Sequence, residues 1–432
     1  MDPYWLKFLP TPLRERLSGQ INLLAIIHNS GWLLFDKIVR VLLVLMVSVW
    51  VARYLGPSQF GELSYILAYI SFFQVVASLG IDGVVVREIA QDKARANEIL
   101  GTAFALRLIT GFLCWIIATG SMVIINGWHD DIVWLVALTG GTLIFQSVDT
   151  IDLWFQSQSQ SKRTVVAKLI ALLISNGMKL VLVFIEAPLI AFAASIAADA
   201  LMAAAGLIFA YKAFPCNGKW RRTKHQGQRI IHDSWPFMAA GFMNLIQARI
   251  EFILINSMLG IEALGQYAAA LRFMEFFDVA GVVVAMSVFP KLASLPFDKK
   301  NAALRKTYLV MFLIYLASMP CIVIVWWFMG YAYGHDYAIA KSIFLFMALR
   351  PLLTYLGVTR GMAINISKNN IYSFYSSLVG ALASLLIGFS LIPKFGLLGA
   401  VASSTLSYFI ANFILDTIFY KENIRNIIRC YK

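Results

Sequence analysis

Leu55-Gly56-Pro57-Ser58-Gln59-Phe60-Gly61 returns in outline 204 residues downstream as Leu259-Gly260-Ile261-Glu262-Ala263-Leu264-Gly265. The register continues without gaps: Leu67 meets Leu271, Phe72-Phe73 meets Phe276-Phe277, and Val75 meets Val279. Coincident Leu and Val are common in apolar sequence, but glycines paired at fixed positions are not. The two stretches therefore read as copies of one unit. Each copy covers the turn after the first span of a half and most of the second span. Six spans separate the copies, so both halves have the same orientation and are expected to be related by an axis along the membrane normal.

The composition requires such an arrangement. Of 432 residues, 60% are hydrophobic and 14% charged, and the mean hydropathy is +0.74. A soluble domain is nearer half apolar and a quarter charged, so most of this surface must face something other than water. Runs of 18 or more apolar residues fall at 31–54, 63–82, 103–126, 132–155, 164–185 and 188–211, then at 235–259, 263–286, 306–328, 337–358, 371–392 and 400–420. The expected fold is all-α and integral to the membrane, with twelve transmembrane helices in two similar six-helix bundles around a central cavity. Residues 1–30 form an amphipathic cytoplasmic segment, 31–211 the first bundle, 212–233 a basic linker, 234–420 the second bundle and 421–432 a cytoplasmic tail. No segment is long enough for a soluble catalytic domain.

The net charge of +13 is first an orientation signal. Twenty-six of the 36 Lys and Arg fall in segments placed in the cytoplasm or at their edges, two (Arg53 and Lys394) outside, and eight within spans. By the positive-inside rule both termini are cytoplasmic. Outside stretches such as Asn126 to Asp131, Glu186 to Pro188 and Gly330 to Asp336 carry no Lys or Arg, and Trp50, Trp128, Trp134, Trp326 and Trp327 mark the outer interface. The charge thus finds a use that involves no nucleic acid. The start of the chain lacks a signal-peptide cleavage pattern. Cys114 and Cys321 lie in spans, Cys216 and Cys430 in the cytoplasm, which is no disulfide framework. The five histidines have no metal-ligand spacing and no phosphate-binding glycine loop is present, so no metal, nucleotide or other cofactor is expected.

Ala52-Arg53-Tyr54-Leu55-Gly56-Pro57-Ser58-Gln59-Phe60-Gly61, with Leu79-Gly80-Ile81-Asp82-Gly83-Val84-Val85-Val86-Arg87-Glu88 after it, resembles the N-terminal half of Wzx-type polysaccharide flippases. These are the O-antigen and exopolysaccharide unit transporters of the multidrug/oligosaccharidyl-lipid/polysaccharide superfamily. Asn29 to Arg40 is similar to their first span and Ile392 to Ala400 to their penultimate turn. The resemblance implies a MATE-like fold and a flippase of the bacterial inner membrane. Its substrate would be an undecaprenyl-diphosphate-linked repeat unit of O-antigen or a related surface polysaccharide, moved by alternating access. Its partners would be the bilayer, a polysaccharide polymerase and a chain-length regulator. Two alternatives stay open: a cation-coupled multidrug exporter of the same superfamily, which would favour carboxylates over arginines in its cavity, and a membrane enzyme of polysaccharide assembly, which would need an extended outer loop.

A charge at bilayer depth costs roughly 2.5–3.5 kcal/mol on insertion scales, so each must face a cavity, find a partner or snorkel. Arg249, Arg272 and Arg350 are the deepest cations. They read either as grips for the diphosphate oxygens or as ion pairs within the bundle, for which Arg272 and Glu275 stand at the right i,i+3 spacing. Arg40 and Arg107 sit nearer the cytoplasmic end and Lys179 towards the outside; they are further candidates for substrate, with snorkelling as the plainer reading. Thr142, Gln146, Asp149, Asp152 and Gln156 share one face of the fourth span, and Asn244 and Gln247 add to it from the seventh. This polar stripe serves either sugar hydroxyls or helix packing. Asp199, Glu251 and Asp278 are candidates for coupling to transported H+ or Na+, since a membrane-depth carboxylate must be neutralised. Asp82, Arg87 and Glu88, within the quoted motif, are candidates for a structural ion-pair cluster or an inner gate.

Overall fold

The computed structural model describes residues 21–214, 218–367 and 370–419. Most of the expected amphipathic N-terminal segment, Cys216, Cys430 and the C-terminal tail lie outside these residues. The helices are α1 (Ile21–Ser78), α2 (Asp82–Gln91), α3 (Ala96–Asn126), α4 (Asp131–Phe145), α5 (Thr150–Ser157), α6 (Lys162–Phe184), α7 (Leu189–Ala213), α8 (Lys224–Leu259), α9 (Ile261–Ser294), α10 (Phe297–Tyr333), α11 (Ala338–Phe344), α12 (Arg350–Ile366), α13 (Asn370–Phe409) and α14 (Leu415–Phe419). Among the described residues, ten helical segments are long and apolar enough to cross a membrane.

The difference from twelve lies in two bent helices. At 58 residues, α1 would run about 87 Å if straight, far beyond a hydrocarbon core of about 30 Å. It turns at Gly56, whose φ of 69° and ψ of 173° are non-helical. The 40-residue α13 turns likewise at Gly396, with φ 58° and ψ −136°. The expected twelve count the two arms of each as separate spans.

Helix α3 shows how the sequence sorts its faces. Ala103, Arg107, Gly111, Cys114, Ala118 and Met122 are buried, while Ile109, Phe112, Leu113, Ile116 and Ile117 are exposed. Large apolar chains face outward and small ones inward because lipid is as apolar as Leu, and close helix approach is what distinguishes the interior. At Gly111 an added Cβ would run into the Leu143 carbonyl oxygen of α4.

One irregularity occurs in both halves. A 3-10 turn at Gln146–Asp149 separates α4 from α5, and another at Leu345–Leu349 separates α11 from α12. In the second half Pro351 occupies the start of α12, where its missing N–H costs least. The polar stripe around Gln146 thus lies on a broken helix rather than a continuous one. In addition, α8 begins inside the stretch expected as a loop. Its first turns bury Gln226, Gly227, Ile230 and Ser234, with Ile230 in an apolar cluster with Ile81, Val85, Ile99 and Leu100, and that packing makes the polar segment helical.

The glycines of the repeat meet each other. A Cβ on Gly61 would collide with the Ile261 carbonyl, and one on Gly265 with the carbonyl of Pro57, the counterpart of Ile261. The second arm of α1 and the first turns of α9 therefore touch backbone to backbone, and side chains are excluded at the crossing. Around it an apolar cluster joins Val51, Leu55 and Phe60 to Leu264, Tyr333, Tyr337 and Leu397. The Tyr337 hydroxyl donates to the Ala52 carbonyl at 2.8 Å. We call this side the turn face and the opposite side, where residues 218–223 run, the linker face.

Gly61→Ala and Gly265→Ala are each expected to destabilise the protein by about 1–3 kcal/mol through overpacking. Gly120→Ala, whose methyl meets nothing within 4 Å, serves as control. Thermal midpoints in detergent, read by size-exclusion chromatography, check the contrast.

Candidate functional site

Linked hollows run between the halves and into the first half. Ser64, Leu67, Ala68 and Ser71 of α1 line the first hollow together with Arg249, Phe252, Leu271, Arg272 and Glu275 of α8 and α9. A second, reaching Lys179, Asn176 and Phe192, shares Ser64, Leu67 and Arg272 with it. A third lies nearer the linker face. Ser71, Gln74, Ser78, Asp82, Arg107, Gln146, Asp149, Asp152, Gln156, Lys168 and Leu245 line it. The fourth, about 390 Å³, opens from the third into the first half and adds Asp36, Arg40, Thr142, Phe145 and Asp199.

Along α1, residues Ser64, Ser71, Gln74 and Ser78 follow three- and four-residue steps, broken only by Leu67 and Ala68. They form one helix face that borders all four hollows. Sequence reasoning missed this stripe because Ser is unremarkable in a span. The signal was its periodicity.

The cations fall into three kinds. Arg249 and Arg272 converge on one carboxylate: Arg249 Nη2 lies 2.8 Å from Glu275 Oε1 and Arg272 Nη1 3.4 Å from Glu275 Oε2. Each of the three side chains is between 26% and 28% exposed. The Arg249 guanidinium also stands over the Phe252 ring, 5.2 Å from its centroid. Two guanidiniums on one carboxylate leave an excess positive charge at the seam. Arg350, by contrast, has its own partner in Asp278 at 3.1 Å, with the two side chains 12% and 15% exposed; it does not line the four hollows. Arg40 bonds Asp36 at 3.2 Å, and Arg107 is held by Asp82 at the linker end. Lys179 lines the hollow beside Arg272.

Of the polar stripe, the structure brings Gln146, Asp149, Asp152 and Gln156 together and adds Lys168, whose Nζ is 2.8 Å from Asp149 Oδ1 and 2.8 Å from Asp152 Oδ2. Gln156 donates to the same Asp152 oxygen at 3.3 Å, and Gln146 donates to the Gln74 carbonyl at 3.3 Å. Lys168 stands at the start of the expected span 164–185, where the positive-inside pattern already accounts for its charge. Asn244 is exposed and Gln247 is buried, its amide filling the space that a side chain at Gly380 would take; neither joins the stripe. Of the coupling candidates, Asp199 lines the fourth hollow, Glu251 is buried and accepts a hydrogen bond from Tyr267, and Asp278 is taken by Arg350.

The gate candidates pair with other elements rather than with each other. Arg87 reaches Asp233 at 3.5 Å. Glu88 accepts from Gln226 and lies 3.3 Å from Arg229 Nε. Asp82 holds Arg107. Two of the three thus tie α2 to α8 across the linker face. A buried pair that the sequence left apart, Arg360 with Asp416 at 2.8 Å, sits where α12 meets the chain's last described turns. Arg360 falls between the expected spans 337–358 and 371–392 but lies within α12. Among the described residues no group of three or more His, Cys, Asp or Glu could hold a metal ion. Cys114 is buried and Cys321 exposed, both free.

The profile of the polysaccharide biosynthesis protein family matches residues 26–295, more than half of the chain. A capsular polysaccharide biosynthesis protein of Staphylococcus aureus, CapF, is 21% identical over 417 residues, covering 92% of this chain and 99% of its own length. Among solved structures, an inward-facing MATE multidrug resistance transporter of the MOP superfamily superposes with a TM-score of 0.70 at 14% identity, over 90% of this chain and 94% of that one. The lipid II flippase MurJ in an inward closed conformation gives 0.70 at 14% identity, over 92% and 90%. The chain belongs to the polysaccharide biosynthesis protein family, and its multi-pass, all-helical membrane architecture is the fold of the MATE and MurJ structures.

Lys168→Met is expected to lower stability by about 1–3 kcal/mol, because it leaves Asp149 and Asp152 facing each other without their shared cation. Adding Asp152→Asn recovers part of the loss. Thermal midpoints of the two single and the double variant close the cycle.

Proposed function

We propose that the protein flips a polyprenyl-diphosphate-linked oligosaccharide repeat unit from the cytoplasmic to the outer leaflet of a bacterial inner membrane, by alternating access of the lumen between its halves. The observation that carries this reading is the sharing of Glu275 by Arg249 and Arg272. Each guanidinium keeps donors in excess of what one carboxylate can accept, and a diphosphate supplies the missing anion in a site partly shielded from water. A cationic drug would meet repulsion there instead. The match to the polysaccharide biosynthesis family and the likeness to a capsular relative support a glycan cargo. O-antigen, capsule or another surface polysaccharide would present the same lipid-diphosphate chemistry to these arginines. An undecaprenyl tail has no room in the lumen and would stay in lipid. Direction would come from a proton or sodium gradient acting through Asp199, Glu251 or Asp278. A polymerase and a chain-length regulator in the same membrane would receive the product.

In this reading the linker face is cytoplasmic, as the distribution of Lys and Arg requires. With the native cysteines replaced, a cysteine at His129 is expected to react with an impermeant maleimide in intact spheroplasts, and one at Lys224 only after lysis. The opposite pattern would invert the topology.

In proteoliposomes carrying a polyprenyl-diphosphate-linked disaccharide, Arg249→Ala and Arg272→Ala are each expected to slow flipping about tenfold or more, the scale of a lost charge-assisted hydrogen bond of about 1.5–3 kcal/mol. Flipping undiminished in both variants, at equal protein content, would overturn the assignment.

A further inference from the structure

The lumen is sorted by charge along its length. At the level of Ser64 to Ser71 it carries two arginines and one carboxylate. At the level of Gln74 and Ser78, about 5–10 Å further along α1, it opens into the first-half hollow, where Asp149 and Asp152 share the single cation Lys168 and Asp199 adds a third carboxylate to the lining. The other charges there cancel locally, Arg40 with Asp36 and Arg107 with Asp82. Lys168 is already committed to two carboxylates, so this hollow retains negative charge, opposite in sign to its neighbour. Its remaining polar lining consists of amides and a hydroxyl, Gln74, Gln146, Gln156 and Thr142, beside the apolar face of Phe145.

Such a lining has a definite chemical preference. Carboxylates and amide oxygens accept from hydroxyl and acetamido groups, amide nitrogens donate to ring and carbonyl oxygens, and an aromatic face covers the C–H face of a pyranose. A volume of about 390 Å³ lies within the range of small-molecule sites. The offset of one to two helical turns from the arginines is about the length of one sugar, so a glycan joined to a diphosphate reaches this hollow when the diphosphate lies against Arg249 and Arg272.

We propose that this first-half hollow is a glycan subsite that selects repeat units without acidic sugars. The inference rests on the flippase reading above. A hexuronate in the hollow would stand against Asp149 and Asp152 with Lys168 already engaged. At about 5 Å and an effective dielectric constant near 20, each like-charge contact is unfavourable by several RT. Neutral and amine-bearing sugars meet no such barrier.

The test uses the full-length protein in vesicles of phosphatidylethanolamine and phosphatidylglycerol. It compares two polyprenyl-diphosphate-linked disaccharides, N-acetylhexosamine–hexose and N-acetylhexosamine–hexuronate. The wild type is expected to flip the neutral substrate at least tenfold faster. Asp149→Asn with Asp152→Asn is expected to narrow that ratio towards one, whereas Arg272→Ala slows both substrates and leaves the ratio in place. Gln146→Lys, which adds a cation and keeps both carboxylates, gives a second route to the same narrowing should the double variant fold poorly. Equal wild-type rates would overturn the subsite while leaving the diphosphate reading intact. Movement of neither substrate would overturn both.

Discussion

Everything in the lumen depends on the backbone contact of Gly61 with Gly265. Two helices touch this closely only where neither carries a Cβ, and here each glycine meets the chain next to the other copy's turn. The contact fixes the two copies of the repeat against each other at the turn face. Beyond that crossing α1 and α9 flank the seam that Arg249, Arg272 and Glu275 line. Side chains of ordinary size at either position would hold the copies apart and shift every arginine relative to its carboxylate.

Burial of charge then decides what each ionic group can do. A cation with its own carboxylate, such as Arg350 with Asp278 or Arg360 with Asp416, is neutralised and serves the packing of its helices; breaking such a buried pair costs more than making it gains. A cation that shares its partner is different in kind. Arg249 and Arg272 divide Glu275, while Asp149 and Asp152 divide Lys168. These two three-membered groups are mirror images in sign, one with a surplus of positive charge and one with a surplus of negative, and both border the same helix face of α1. The surplus, rather than the mere presence of charge in a span, separates these two groups from a core that has satisfied itself, and it is what the proposed function draws on.

The architecture was legible where the physics is one-dimensional. Length of apolar runs, distribution of Lys and Arg and the recurrence of Gly56 and Gly61 as Gly260 and Gly265 are read along the chain. They led to an all-helical membrane protein built from a repeat. The i,i+3 spacing likewise placed Glu275 beside Arg272. Partners from distant helices were not legible. Arg249 finds Glu275 on the next helix, Arg360 finds Asp416 across more than fifty residues, Asp82 turns to α3, and Arg87 and Glu88 turn to α8, none of the three to one another. Lys168 was hidden for another reason: a lysine near a span end fits the positive-inside pattern so well that its side chain's direction, into the hollow, left no trace in sequence. The bends at Gly56 and Gly396 and the 3-10 turns at Gln146 and Leu345 are tertiary features of the same sort, since glycine and apolar residues permit them without demanding them.

The two closures of the lumen differ in chemistry, and the difference bears on how the halves can move. At the turn face the contact is glycine on backbone within an apolar cluster, a fit that depends on shape and is lost over a displacement of an ångström or so. At the linker face Gly80 packs closely against the backbone of Met238, but the surrounding ties are polar. Arg87 to Asp233 and Arg229 to Glu88 each involve at least one side chain more than half exposed, and pairs of that kind contribute about 0–1 kcal/mol apiece. Water can replace them as they part. Were the halves to alternate as the proposed function requires, a polar closure with small net energy on one face would set the scale that the other face has to match. Arg249 and Arg272 ride on α8 and α9, the helices that carry the second half's side of the linker-face and turn-face closures, so under the proposed function an anion held between them would bridge the two helices that the closures act on.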